Sequence, residues 1–158
     1  MSEYVAPLND IRFAMRELAG LEKVVALPGY EEASPDVVDA ILEEAAKFAG
    51  EVLSPLNRVG DTIGAKWKDK EVTTAPGFKE AYRQFIDNGW NGLGSEVEYG
   101  GQGLPKLLST AVNEMWKASN HAFSLCPMLT QGAIEALTIA GNDAQKDMYL
   151  PKLIFGEW

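Results

Sequence analysis

The sequence predicts an all-α fold, a bundle of about six helices joined by long loops. Three observations support this prediction. Apolar residues recur at the three- and four-residue spacing of amphipathic helices through most of the 158 residues. No segment alternates apolar and polar residues over a useful length, as a half-buried strand would. Prolines and glycines stand at positions where helices begin and end.

The first half of the chain contains two predicted helices. Residues 9–19 form a short amphipathic helix, and residues 21–33 form a loop. Ser34 starts a long helix, because its hydroxyl can accept a hydrogen bond from a free N–H group and a proline follows at the first helical position. Pro55 is expected to end this helix. Residues 55–76 are then expected to be irregular, a solvated turn with one anchoring tryptophan.

The second half contains four further predicted helices. Their predicted extents are Phe78 to Gly89, Pro105 to Trp116, Phe123 to Gly141, and Lys146 to Leu150. Asn142 or Asp143 can cap the last helix, and Pro151 is expected to break or kink it.

A glycine-rich stretch, Asn88–Pro105, separates the first two of these helices and contains six glycines. So much glycine is unfavourable inside a helix or a strand, so the stretch is predicted to be an ordered loop with several positive-φ residues. A dinucleotide-binding loop would need a preceding strand and a third glycine at fixed spacing, and neither is present. Glu96 and Glu98 would also repel a phosphate. The sequence therefore favours a structural loop.

Composition excludes several functions. The net charge of −9 and the pI of about 4.6 argue against nucleic acid as a partner. No uncharged apolar run is expected to reach the ~20 residues of a membrane span. Cys126 and His121 are the only residues of their types, which argues against an internal disulfide or a Cys/His metal site. A cytoplasmic protein is expected.

Residues 123–137 form the most informative helical segment, because they are almost uncharged and mix methionine, glycine and an amide. Such a helix is either buried core or the wall of an apolar ligand channel, and the pattern alone favours core. Glu114 and Glu135 lie beside apolar stripes, but nothing pairs with them as a general base would require. The residues alone therefore predict no catalytic, cofactor-binding or metal-binding residue.

Three runs of sequence resemble the N-terminal helical domain of the acyl-CoA dehydrogenases. They are Gly89-Trp90 with Tyr99-Gly100-Gly101-Gln102-Gly103-Leu104-Pro105; Ala140 to Lys146 with Tyr149-Leu150-Pro151 and Gly156-Glu157; and Ala6-Pro7-Leu8 with Asp10-Ile11-Arg12-Phe13. The last run resembles an N-terminal extension of the longer members. The resemblance covers nearly the whole chain. It implies an extension with a short helix over residues 1–33 and the helical domain over residues 34–158.

The resemblance implies an FAD-dependent enzyme of fatty acid metabolism that dehydrogenates an acyl-CoA thioester. By the same resemblance, the flavin contacts and the catalytic glutamate belong to sequence beyond Trp158. The chain is thus expected to be a fragment that binds no flavin and has no activity alone. The whole protein would use an electron-transfer acceptor and form a homo-oligomer.

The resemblance also gives this chain a role in substrate binding. Alignment on Ala140–Asp143 places the helix that lines the acyl pocket on residues 124–132. The residues predicted to line that pocket are Ser124, Leu125, Met128, Leu129 and Gly132. The alternative is a helical protein-interaction module without enzymatic activity.

Overall fold

The computed structural model describes residues 4–158, and its helices confirm the all-α prediction. The α-helices are α1 (Leu8–Phe13), α2 (Leu21–Val25), α3 (Pro35–Lys47), α4 (Ser54–Ile63), α5 (Phe78–Asp87), α6 (Lys106–Ser119), α7 (His121–Ala140) and α8 (Asp143–Ile154). Two π-helical segments, Ala14–Leu18 and Phe48–Leu53, continue α1 and α3. Two 3₁₀ turns, Trp90–Gly92 and Val97–Tyr99, lie in the glycine-rich loop.

One antiparallel hairpin, β1 (Lys66–Lys68) and β2 (Glu71–Thr73), is the whole sheet content of residues 4–158. Trp67 pairs with Val72 across the strands. The prediction of an anchoring tryptophan in this region was wrong, because Trp67 is 72% exposed. The short hairpin offers no buried face against which the ring could pack.

The prediction that Pro55 ends the long helix was wrong. The helical path runs from α3 through the π segment into α4, and Pro55 lies in the first turn of α4. Proline is tolerated in a first turn, where its missing N–H would have had no helical acceptor. Of the 22 residues in the region predicted to be irregular, 55–76, 15 are consequently in helix or in the strands of the hairpin.

Two other boundaries also differ from the prediction. The predicted loop over residues 21–33 contains the short helix α2. Pro151 does not end α8, which continues to Ile154. Leu150 and Ile154 are buried on either side of the proline, so packing maintains the helix across it. The start of α8 follows the prediction, with a capping box between Asn142 and Gln145.

The main core lies between α3, α5, α6 and the start of α7. Its centre is Trp116, whose ring meets Phe48 edge-on at a centroid distance of 5.3 Å. Ile11 and Met15 from the predicted N-terminal extension belong to the same buried cluster. A smaller cluster, Ile134, Leu150 and Ile154, joins α7 to α8. These two cores fix α7 between α6 and α8.

Candidate functional site

Four of the five residues predicted to line the acyl pocket lie on one face of α7. Leu125, Met128, Leu129 and Gly132 follow the i, i+3, i+4, i+7 spacing that places side chains on the same side of a helix. Leu125, Met128 and Leu129 are 41%, 42% and 70% exposed, respectively. Ile139 extends the same side towards the end of the helix. We call Leu125, Met128, Leu129, Gly132 and Ile139 together the exposed face of α7.

Ser124, the fifth predicted residue, is not on this face. Its side chain is buried, and its Oγ donates a hydrogen bond of 2.8 Å to the carbonyl oxygen of His121. A serine whose hydroxyl donates to a carbonyl oxygen of its own helix has its hydrogen-bond donor satisfied within that helix. Ser124 therefore stands behind the exposed face, within the first turn of α7.

Gly132 leaves open space on the exposed face. A β-carbon built at this position would meet no heavy atom within 4 Å. Glycine in a helix interior costs roughly 0.5–1 kcal/mol relative to alanine, and no close contact in residues 4–158 requires it here. Beside it, a cavity of about 350 Å³ is bordered by Met128, Gly132 and Trp90. The indole Nε1 of Trp90 is buried and has no hydrogen-bond acceptor among the described residues.

Asn120 fixes the start of α7, a role that the sequence analysis missed. Its Oδ1 accepts a hydrogen bond of 3.0 Å from the backbone N–H of Phe123, as an N-cap side chain does. Its Nδ2 donates to the carbonyl oxygen of Leu53 at 3.1 Å, and the residue is fully buried. An asparagine directly before an apolar helical run was the available signal for the cap. The contact with Leu53 had no local signal.

Asn91 joins the glycine-rich loop to both α7 and α8. Its Nδ2 donates to the carbonyl oxygens of Leu153 and Ile154 at 2.7 and 3.2 Å. Its own backbone oxygen accepts a hydrogen bond from Nε2 of Gln131 on α7. Lys106 at the start of α6 forms an ion pair with Glu135, also on α7. The middle of α7 is thereby held from the loop and from α6.

The glycine-rich loop satisfies its own backbone. The N–H groups of Gly101, Gln102 and Gly103 donate to the carbonyl oxygens of Glu96, Gly92 and Ser95, each at 2.9 Å. A cradle for a flavin pyrophosphate needs N–H groups that point to the ligand. The residues of this loop therefore do not fit a flavin phosphate site. Within residues 4–158, no group of three or more His, Cys, Asp or Glu side chains is placed to bind a metal.

By length and composition alone, α7 is also apolar enough to cross a membrane, which the sequence analysis did not expect. The helix has 20 residues and a mean hydropathy of 1.2 over its most apolar window, of which 22% is buried. Core helices of folded domains meet the same criterion, so this single helix is weak evidence for a span. Its contacts with α6 and α8 account for the buried part.

Comparison with known proteins gives the family. The family described as acyl-CoA dehydrogenase, N-terminal domain, matches residues 36–157. The chain is 46% identical to 3-methylmercaptopropionyl-CoA dehydrogenase of Ruegeria pomeroyi, over 98% of this chain and 26% of that protein. It is 27% identical to a butyryl-CoA dehydrogenase of Syntrophomonas wolfei, over 99% of this chain and 26% of that protein. It is 33% identical to mitochondrial isovaleryl-CoA dehydrogenase of Pongo abelii, over 78% of this chain and 29% of that protein.

The chain thus spans about a quarter of the length of these relatives. The match covers α3 to α8, including the glycine-rich loop and the exposed face of α7. The all-α architecture agrees with that match. The chain belongs to the acyl-CoA dehydrogenase family, as its N-terminal helical domain.

Proposed function

We propose that this chain is the acyl-chain-binding part of a flavin-dependent acyl-CoA dehydrogenase. The observation that carries the proposal is the exposed face of α7, an apolar surface that the rest of the described chain leaves uncovered. The relatives are named as dehydrogenases of acyl-CoA thioesters, each of which contains an acyl chain. An apolar wall suits such a chain, because its methylene groups gain about 0.8 kcal/mol each on burial.

Each residue of the predicted pocket has a distinct contribution in this proposal. Leu125, Met128 and Leu129 contact the acyl chain, and the flexible thioether of Met128 adapts to its shape. Gly132 leaves room for the part of the chain that lies farthest along α7. Ser124 does not contact the substrate but stabilises the first turn of the helix.

The chemistry of dehydrogenation belongs to other parts of the proposed enzyme. FAD would accept the hydride, and a carboxylate base held by the rest of the longer protein would remove the α-proton. Residues 34–158 form the helical domain and residues 1–33 its N-terminal extension. The assembled enzyme would be a cytoplasmic homo-oligomer of fatty acid metabolism that passes electrons to a separate acceptor.

A titration with an acyl-CoA tests whether the exposed face binds the acyl chain. Octanoyl-CoA is added to ¹⁵N-labelled chain, and amide chemical shifts are followed. We expect saturable shifts at Leu125, Met128, Leu129 and Gly132, and none at these positions with coenzyme A alone. Leu129→Ser should weaken binding by about fivefold, equivalent to ~1 kcal/mol of lost apolar contact.

Leu18→Ser provides the matched control. Leu18 is 76% exposed and Leu129 is 70% exposed, but Leu18 lies in the N-terminal extension. The control variant should bind octanoyl-CoA as the unmodified chain does. Equal losses in both variants, or no response of α7 to the thioester, would refute the acyl-binding role. Self-association through α7 without such a response would favour the interaction module.

A further inference from the structure

A separate apolar groove lies between α4, the hairpin, α5 and the first turns of α7. Its volume is about 660 Å³, within the range of roughly 300–1,000 Å³ typical of small-molecule sites. Most of its wall is hydrocarbon and aromatic. The side chains that matter below are Phe78, Tyr82, Ile86, Ala122, Phe123 and Cys126.

This groove adjoins the exposed face of α7 but is lined by different residues of that helix. Ala122, Phe123 and Cys126 border the groove, whereas Leu125 and Leu129 do not. Residues 122 and 126 have the i, i+4 spacing, and Leu125 and Leu129 follow each of them by three residues, so the groove and the exposed face border each other along α7. A ligand in the groove would therefore contact α7 at Ala122, Phe123 and Cys126, beside the exposed face and not on it.

Glycines shape the groove where α4 meets α5. The ring of Phe78 lies so close to Gly60 that a β-carbon there would be 2.7 Å from its Cζ. Gly64 ends α4 with φ of 66° and directs the chain into the hairpin. A left-handed residue of this kind favours glycine. The hairpin is thereby directed away from the ring of Phe78, and the space over that ring stays open.

Two cations stand at the edge of this apolar groove. Lys79 and Arg83 are four residues apart on α5, so they share one side of that helix. Both are exposed, and neither forms a salt bridge with any residue in the described range 4–158. The groove has no aspartate or glutamate in its lining. This positive edge is notable in a chain whose net charge is −9.

The phenol of Tyr82, which also lines the groove, does not oppose an anion. Burial, and secondly the neighbouring Cys126, raise the pKa of Tyr82, so its phenol is neutral at pH 7. Its hydroxyl already donates to the carbonyl oxygen of Gly156 at 3.2 Å. The positive charge in the lining of the groove thus comes from Lys79 and Arg83.

We propose that this groove binds a linear alkyl chain with an anionic head group, the head lying at Lys79 and Arg83 and the chain against Phe78 and Phe123. A carboxylate or a phosphate would serve as the head, since both accept hydrogen bonds from these cations. The net negative charge of the whole chain disfavours non-specific uptake of anions. The proposal does not depend on the role given to the exposed face of α7.

The single cysteine gives a direct measurement of occupancy. Cys126 is exposed and borders the groove, so a bound chain should shield its thiol from N-ethylmaleimide. The rate of modification is followed by mass spectrometry with dodecanoate, dodecyl phosphate or neutral dodecanol, all below micelle-forming concentrations. We expect saturable protection by at least one anionic compound, and binding of dodecanol weaker by about fivefold or more. The better anionic ligand identifies the head group.

Three variants separate the parts of the proposal. Lys79→Gln with Arg83→Gln should weaken protection by the anion about fivefold without changing that by dodecanol. The matched control, Lys23→Gln with Lys117→Gln, removes the same charge from other exposed sites and should have no effect. Ala122→Trp places an indole at an exposed position of the groove wall and should abolish protection.

Opposite results would overturn the proposal. Absence of protection by both anions would show that the groove does not bind them. Equal binding of dodecanol and dodecanoate, or equal losses in the two double variants, would remove the role of Lys79 and Arg83. Leu129→Ser should leave the protection of Cys126 unchanged. If Leu129→Ser lost that protection while Ala122→Trp kept it, the ligand would lie on the exposed face instead.

Discussion

Replacing Gly101 by valine is expected to destabilise the fold, because its α-carbon packs directly against the backbone of Ser95. A β-carbon at position 101 would lie 2.2 Å from the carbonyl oxygen of Ser95 and 2.3 Å from its carbonyl carbon. Neither atom belongs to a flexible side chain, so relief requires movement of the loop backbone. The neighbouring Gly100 has φ of 92°, whereas the constraint at Gly101 is this close approach.

The size of the effect follows from what the loop would lose. The N–H of Gly101 donates to the carbonyl oxygen of Glu96, and the N–H of Gly103 donates to that of Ser95, both at 2.9 Å. Overpacking costs about 1–3 kcal/mol, and each lost hydrogen bond costs about 1 kcal/mol net. A decrease of about 3–5 kcal/mol in the free energy of unfolding corresponds to a drop in Tm of about 6–20 °C for a domain of this size.

Thermal unfolding followed by circular dichroism at 222 nm measures this drop. Gly101→Ala should show most of this drop in Tm, because the β-carbon alone already collides with the backbone of Ser95. The control is Gly132→Ala, which meets no atom within 4 Å and should raise stability by about 0.5–1 kcal/mol. A Tm for Gly101→Ala within about 1 °C of the unmodified chain would refute the reasoning.

Three other predictions concern capping, charge and cofactor. Asn120→Ala should lower the free energy of unfolding in urea by about 2–4 kcal/mol, because it removes a cap and leaves the buried carbonyl of Leu53 without its donor; a change below about 1 kcal/mol would contradict this. Burial raises the pKa of Asp39, but the hydrogen bond from Arg12 and the charge of Arg16 outweigh burial and hold that pKa below its usual value. Its contribution to stability is therefore present above the unfolded pKa of about 3.9 and is lost as pH falls through the lower folded pKa. Asp39→Asn should then lower the urea midpoint at pH 7 more than at pH 2, and equal losses would argue against the linkage. Finally, the chain incubated with FAD should retain none through gel filtration and should reduce no electron-accepting dye with an acyl-CoA; stoichiometric retention would contradict this.

Local sequence signals predicted most of the helices because their starts and ends depend on adjacent residues. Ser34 caps α3, and Gly89 ends α5 with φ of 73°, both as predicted. Pro55 shows where such rules fail. The rule treats proline as a stop, but the π segment before α4 alters the hydrogen-bond register, and the proline then falls in a first turn. Nothing local in the sequence indicates that change of register.

From the residues alone the candidate site was predictable as a helix but not as an oriented surface, whereas the family resemblance named four residues that share one face. The composition of residues 123–137 identified an unusually apolar segment, yet it could not say which side is buried. Ser124 and Leu125 are adjacent in sequence, and only the packing of α7 on its neighbours separates a buried residue from an exposed one. The contact between Gln131 and Asn91 joins residues 40 positions apart, beyond the reach of any periodicity.

The anchoring of α7 explains why its apolar face stays exposed. A free helix with an apolar side would rotate to bury it, because burying a leucine side chain gains about 1.5–3 kcal/mol. At the start of α7, Asn120 prevents rotation by capping the helix and by its hydrogen bond to the carbonyl oxygen of Leu53. In the middle of α7, Gln131 prevents rotation by its hydrogen bond to the backbone oxygen of Asn91. Rotation would break both contacts, and the fully buried side chain of Asn120 would be left unpaired at a cost of about 1–3 kcal/mol. The polar anchors thus hold Leu125 and Leu129 outward, in the orientation that a surface for binding another apolar group requires.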